Sequence, residues 1–129
     1  MKPVTLLRIS YLTGAVLDFL IAAAALVPAN MGVVKFVYPM GSFSAAACSW
    51  GVLLLFALKK PLERKWVLLP TILIVVLGLA AGAYSVITGV RSFGVFVPEI
   101  IAGACCISLW TVSYVKSAGS PGRTDGDRV

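Results

Sequence analysis

Apolar residues dominate four long stretches of the chain, and short polar connections separate them. The stretches are 19 to 25 residues long and cover residues 9–27, 36–58, 66–90 and 92–115. A helix needs about 20 apolar residues to cross the hydrocarbon core of a bilayer, so each stretch is long enough. The pattern predicts an all-α membrane protein with helices at about 9–28, 36–58, 66–89 and 93–115.

Composition supports this class and excludes an ordinary soluble domain. Hydrophobic residues make up 60% of the 129 residues and charged residues 12%, which is too little charged surface for a small soluble protein. Because the connections are short, we expect an up-down-up-down four-helix transmembrane bundle over residues 1–116. Residues 117–129 are polar and rich in glycine, and we expect a disordered cytoplasmic tail there.

The basic residues are distributed unequally between the two ends of this bundle. Nine of the 11 lysines and arginines fall on one side, and only Lys35 and Arg91 fall on the other. Basic residues accumulate on the cytoplasmic side of membrane proteins, so we expect both termini and the 59–65 loop in the cytoplasm. The expected location is the plasma or inner membrane. The same bias indicates membrane lipids as partners, and we do not expect nucleic-acid binding.

Small residues at four-residue spacing occur on each predicted helix, where they would let helix backbones approach closely. Gly14 belongs to such a stripe on the first helix, and Gly103 belongs to one on the fourth. Gly78 and Gly82 form a GxxxG pair on the third. That pair is interpreted either as packing within the bundle or as the face of a homodimer.

Asp18 is the residue that the bilayer does not explain. It lies about 15 Å from Arg8, near the predicted midplane, where an ionised Asp costs about 3 kcal/mol to insert. The cost favours the neutral acid, bonded to a hydroxyl or a carbonyl. Residues expected at the same depth are Ser49, Cys48 and Cys106. Asp18 is interpreted either as a proton-coupling or ligand-binding carboxylate or as a polar link between helices.

Two further groups of residues have more than one interpretation. Glu99 follows Pro98 near the outer end of the fourth helix, where it could pair with Arg91 or Lys35 or lie at the mouth of a cavity. The basic residues of the inner loop are interpreted as contacts to lipid head groups or to a partner protein: Lys59, Lys60, Arg64 and Lys65. We expect no metal and no cofactor, because the chain has no His and no CxxC.

Two resemblances accompany these observations. The segments KKPLERK and WVLLPTILIVVLGL resemble small four-helix prokaryotic membrane proteins of uncharacterised function. The layout is also similar to that of small multidrug resistance transporters, which have four short helices and a carboxylate in the first. Asp18 matches that carboxylate in position, although those transporters use Glu. The strong charge bias departs from them, because their antiparallel dimers need a weak bias.

Three functions are consistent with this sequence. The first is a small-molecule or lipid binding or transport module centred on Asp18, which as a transporter would be an oligomer. The second is an accessory or scaffold subunit of a larger membrane complex. The third is a membrane-embedded enzyme, for which no known catalytic motif is found.

Overall fold

The computed structural model describes residues 2–31 and 34–118. Within that part of the chain all regular structure is helical, and four long helices follow one another: α1 Pro3–Ala25, α2 Tyr38–Lys59, α3 Leu68–Ile87 and α4 Phe93–Ala118. A short 3₁₀ helix, Pro28–Met31, follows α1, and another, Lys65–Val67, leads into α3. Each of the four long helices is long and apolar enough to span a membrane, which suggests a multi-pass membrane protein.

The helices extend beyond the apolar stretches at two places. α1 begins at Pro3 rather than near residue 9, and α4 continues to Ala118 rather than ending near 115. Pro3 occupies the first turn of α1, where a fixed φ favours the helix and a missing N–H costs nothing. Hydropathy marks the segment that fits a bilayer, and it does not mark where the backbone stops being helical. The part of the predicted tail from residue 119 onwards lies outside the described residues.

Gly89 ends α3 and turns the chain into α4. Its φ of 74° lies in the left-handed region, which glycine adopts without a Cβ clash. The N–H of Gly89 donates to the carbonyl of Val86 at 3.0 Å, and the N–H of Val90 donates to that of Ser85 at 2.9 Å. These two bonds are those of a Schellman motif, so the hairpin has a defined stop signal in the sequence.

The most completely buried residues lie at the end of the bundle that carries the 59–65 loop. All four long helices or their flanking turns contribute to this core, which contains Leu7, Tyr11, Ala15, Leu54, Ala57, Val67, Leu68 and Trp110. Polar bonds link its helices: Trp110 Nε1 donates to the carbonyl of Ser10 at 3.1 Å. The hydroxyls of Ser10 and Ser113 lie 2.6 Å apart, which joins α1 to α4 a second time.

The helices are not packed equally against one another. α1 packs on α2 and on α4, and α3 packs on α4, whereas α2 and α3 make few direct contacts. The Tyr11 hydroxyl donates to the carbonyl of Arg64 at 3.0 Å, and Lys65 Nζ donates to that of Ser117 at 3.5 Å. The start of α1, the 59–65 loop and the end of α4 therefore lie at the same end of the bundle.

Candidate functional site

Asp18 lies in the second half of α1, about 22 Å along the helix from Pro3 and about 10 Å from Ala25. Its Oδ2 atom is buried and has no hydrogen-bond partner, and it is the one side-chain oxygen or nitrogen of this kind among the described residues. A buried polar atom without a partner is costly, so native structures rarely contain one without a functional or solvent explanation. Among the described residues, no hydroxyl or carbonyl forms the expected bond with this oxygen.

A cavity of about 300 Å³ lies beside Asp18, between α1, α2 and α3. Apart from Asp18, its lining side chains are apolar or aromatic: Ile21, Phe43, Ala46, Ala47, Trp50 and Ile74. The four lining residues of α2 recur at the spacing of one helix face, with two small residues between two aromatic ones. Its volume lies at the lower end of the range of small-molecule sites, which are mostly apolar and carry a few polar groups.

The weak contact between α2 and α3 explains why a cavity exists here. On the side nearer the core, Trp50 Nε1 donates to Thr71 Oγ1 at 3.1 Å, and this bond joins the two helices. Further along, Phe43 on α2 and Ile74 on α3 are each about half exposed, at 50% and 48%. The cavity therefore opens sideways, between α2 and α3, and is closed by packed side chains toward the 59–65 loop.

Close packing of α1 on α2 fixes the position of Asp18. A Cβ placed on Gly51 would lie 3.3 Å from the Cβ of Asp18 and 3.4 Å from the carbonyl oxygen of Ala15. A Cβ at Gly51 would be in tight contact with α1, so the neighbouring atoms would have to shift by a few tenths of an ångström to admit it. The predicted small-residue stripes did not include Gly51. Because it has no side chain, α1 packs closely on α2 at this position, and this packing places Asp18 beside the cavity.

The other residues predicted at the depth of Asp18 do not line its cavity. Ser49 and Cys48 are exposed on α2, and the Ser49 hydroxyl donates to the carbonyl of Ala45 at 2.8 Å. Cys106 is partly buried against the core, and all three cysteines are free. The structure therefore separates Asp18 from the hydroxyl and the thiols with which the sequence analysis grouped it.

Glu99 makes the ion pair that was one of its two interpretations. Its Oε1 and Oε2 accept bonds from Arg91 Nη2 at 2.6 Å and Nη1 at 3.1 Å, which is a bidentate arrangement. Both side chains are partly exposed, at 36% for Arg91 and 46% for Glu99. The hydrogen bond to Glu99 raises the pKa of Arg91 above its usual range. Glu99 does not line the cavity.

The four predicted packing glycines have different surroundings. A Cβ on Gly14 would lie 2.8 Å from Leu54 Cδ1, and one on Gly103 would lie 2.9 Å from Leu79 Cδ1. Gly82 is buried against the ring of Phe96. A Cβ on Gly78 would have nothing within 4 Å, so the two glycines of the GxxxG pair do not share one packed surface.

Sequence reasoning missed most of the cavity. Phe43, Ala46, Ala47 and Trp50 recur at i, i+3, i+4 and i+7, which is the signal that could have found the α2 wall. On another face of the same helix, the small residues Gly41, Ala45 and Ser49 recur at four-residue spacing. The sequence alone favoured that face, because small residues at this spacing are typical of helix packing in membranes. Nothing in the sequence distinguishes Ile74 from the other apolar residues of α3.

Comparisons with known proteins do not assign the site. No protein-family model, no curated protein and no solved structure matches this chain. The chemistry of the site therefore rests on its residues. A carboxyl group beside an apolar cavity can accept a hydrogen bond from a hydroxyl or an amine, while the apolar side chains bind the hydrocarbon part of the same molecule.

Proposed function

We propose that this protein binds a small amphiphilic molecule in the cavity between α1, α2 and α3, with Asp18 as the polar anchor. The observation that carries the proposal is the Asp18 carboxyl, whose buried Oδ2 has no partner beside a cavity of about 300 Å³. An Asp that links two helices would bond to one of them. No described residue bonds to Oδ2, and a bound molecule could supply that hydrogen bond.

The cavity chemistry limits the ligand. Six apolar or aromatic side chains favour a hydrocarbon or aromatic body, and one carboxyl favours a head group that donates a hydrogen bond. An ionised carboxylate would need a cationic amine beside it, since no basic side chain lines the cavity. An alkylamine is already protonated in solution at neutral pH, so its binding as an ammonium–carboxylate pair releases the proton of the neutral acid, whereas binding of an alcohol releases none.

The membrane setting supplies the route of entry. We propose that the protein spans the plasma or inner membrane with both termini in the cytoplasm. The support is the excess of basic residues at the end that holds the start of α1, the 59–65 loop and the end of α4. In that setting the opening between α2 and α3 faces lipid, and a ligand dissolved in the bilayer enters sideways. If the module transports its ligand, it does so as an oligomer, because four helices leave little room for a complete path.

A second candidate function is that of an accessory or scaffold subunit in a larger membrane complex. The observation that favours it is Gly78, whose small exposed surface on α3 would admit another helix closely. Such a role needs no occupied cavity. The two functions therefore differ in their dependence on Asp18.

The test uses the full-length protein in lipid nanodiscs and two photoreactive probes, an alkylamine and an alkyl alcohol of the same chain length. We expect labelling of peptides that line the cavity, and we expect Asp18→Asn to weaken binding of the alkylamine by about 10- to 150-fold. That range follows from the loss of a hydrogen bond to a charged group, about 1.5–3 kcal/mol. Because Asp18 Oδ2 has no protein partner, Asp18→Asn should leave folded yield unchanged. Glu63→Gln removes an exposed loop carboxylate and is the matched control.

A second pair of variants tests the cavity itself. Ala47→Leu fills the cavity and should abolish labelling, whereas Ala45→Leu adds the same volume on an exposed face of α2 and should not. For the amine, affinity should rise with pH about tenfold per unit while Asp18 is protonated, and for the alcohol it should not change. Equal labelling of the wild type, Asp18→Asn and Ala47→Leu would refute the binding function. A binding constant for the amine that does not change with pH would refute its link to protons.

A further inference from the structure

The four basic residues of the 59–65 loop are not equivalent in the structure. Lys60 pairs with Glu63 at 3.2 Å, and Lys65 Nζ donates to the carbonyl of Ser117 at 3.5 Å. Lys59 and Arg64 have no acidic partner in the described part of the chain. Lys65 has no acidic partner there either, so a carboxylate neutralises only one of the four positive charges, and Lys59 and Arg64 are the two that lie beside the same residue.

Lys59 and Arg64 both contact Phe56. Lys59 Nζ lies 5.4 Å from the centroid of the Phe56 ring, within the range of a cation–π interaction. Arg64 Nη1 donates to the carbonyl oxygen of Phe56 at 2.6 Å. Phe56 lies in the last turn of α2, and it is 50% exposed. The fold thus brings two unpaired cations to one exposed aromatic residue at the end of a helix.

The end of α2 would by itself repel an anion, because the last carbonyl groups of a helix carry about half a negative charge. Arg64 donates a hydrogen bond to the carbonyl oxygen of Phe56, which is one of these terminal groups. Together Lys59 and Arg64 supply two positive charges against that half charge, so the balance at this position favours an anion. An exposed ring beside the charges adds an apolar surface that a soluble anion would not use.

We propose that Lys59, Arg64 and Phe56 form a binding site for an anionic phospholipid. The ammonium and guanidinium groups bind the lipid phosphate, and the Phe56 ring packs on the first methylene groups of an acyl chain. A guanidinium suits phosphate because its N–H groups match the phosphate oxygens in geometry. The site is separate from the Asp18 cavity, and it does not depend on the function proposed for that cavity.

Native mass spectrometry of the full-length protein tests this site, with phosphatidylglycerol and phosphatidylcholine as the two lipids. We expect tighter binding of phosphatidylglycerol. Lys59→Gln should weaken that binding about fivefold and leave phosphatidylcholine unchanged, as one lysine near an anionic lipid contributes about that factor. Lys60→Gln is the control, because it removes the same charge at the next residue, which already pairs with Glu63. It should change phosphatidylglycerol binding less than twofold.

Arg64 needs a different variant, since Arg64→Gln would also release the end of α2. Arg64→Lys keeps the charge and loses the planar donor groups, so it should weaken phosphatidylglycerol binding while the melting temperature reports any loss of the helix end. Equal losses in Lys59→Gln and Lys60→Gln would overturn the proposal in favour of diffuse attraction. Equal binding of the two lipids, or displacement of phosphatidylglycerol by millimolar inorganic phosphate, would overturn it as well.

Discussion

Substitution of the two glycines of the GxxxG pair provides a direct test of the packing between α3 and α4. We consider Gly82→Ala and Gly78→Ala, which add the same methyl group one helical turn apart. At Gly82 the new Cβ would lie 2.9 Å from Phe96 Cδ2 and closer still to Cε2. Phe96 is only 5% exposed, so its ring has little room to move away.

The two substitutions should have different effects on the free energy of unfolding. Overpacking of a buried site costs about 1–3 kcal/mol, and Gly82→Ala should lower the free energy of unfolding by that amount. At Gly78 a Cβ meets nothing within 4 Å, so the methyl group meets no steric opposition. Replacing glycine by alanine in a helix gains up to about 1 kcal/mol, which makes Gly78→Ala neutral or stabilising. The same gain in helix propensity applies at Gly82, where it offsets part of the overpacking cost, so the two variants should differ by about 1–3 kcal/mol.

The assay is unfolding of the purified protein in mixed micelles with increasing sodium dodecyl sulfate, followed by circular dichroism. Cross-linking on the same samples reports the oligomeric state. If Gly82→Ala were as stable as Gly78→Ala, the contact between Gly82 and Phe96 would not contribute to packing. If Gly78→Ala were the destabilising variant, and cross-linked dimers decreased with it, Gly78 would be part of an interface between copies.

Two further substitutions test polar contacts at opposite ends of the bundle. Trp110→Phe removes part of the ring volume and the buried hydrogen bond from Trp110 Nε1 to the carbonyl of Ser10, so the free energy of unfolding should fall by about 1–3 kcal/mol. Trp66→Phe makes the same change at an exposed position and should have little effect. Glu99→Gln should cost only about 0–1 kcal/mol, because the Arg91–Glu99 pair is partly exposed, and added salt should reduce the difference. The hydrogen bond to Glu99 raises the pKa of Arg91, so the contribution of Arg91 to the free energy of unfolding is fully present below the usual pKa range of arginine and is lost only at strongly alkaline pH. A loss of stability on titration from neutral to mildly alkaline pH that is absent in Glu99→Gln would contradict this assignment.

The cavity connects the fold to the proposed function through one weakness in helix packing. Four helices close well around the core near the 59–65 loop, where Tyr11 and Trp110 bond to the backbone of neighbouring segments. Beyond the bond from Trp50 to Thr71, α2 and α3 separate, and Asp18 lies where they do. In the described part of the chain, the same separation leaves Asp18 Oδ2 without a partner and leaves room for the proposed ligand to reach it.

The four apolar helices and the hairpin at Gly89 follow from local features of the sequence. Length and hydropathy decide the first, since no other structure satisfies the backbone of a 20-residue apolar stretch in lipid. The positive φ of a C-terminal glycine decides the second. The sequence also identifies Asp18 as exceptional, because a carboxyl group in an apolar transmembrane stretch is costly on any face of the helix.

The face that each helix turns inward depends on tertiary packing and could not be predicted from the sequence. Lipid is as apolar as a protein core, so hydropathy does not mark the inner face, and small residues occur on more than one face. For this reason α2 presents Phe43 and Trp50 to the cavity and leaves Ser49 exposed. For the same reason Gly82 is buried while Gly78 is open. The orientation of each helix about its own axis depends on the shapes of all its neighbours together, and that information is not local in the sequence.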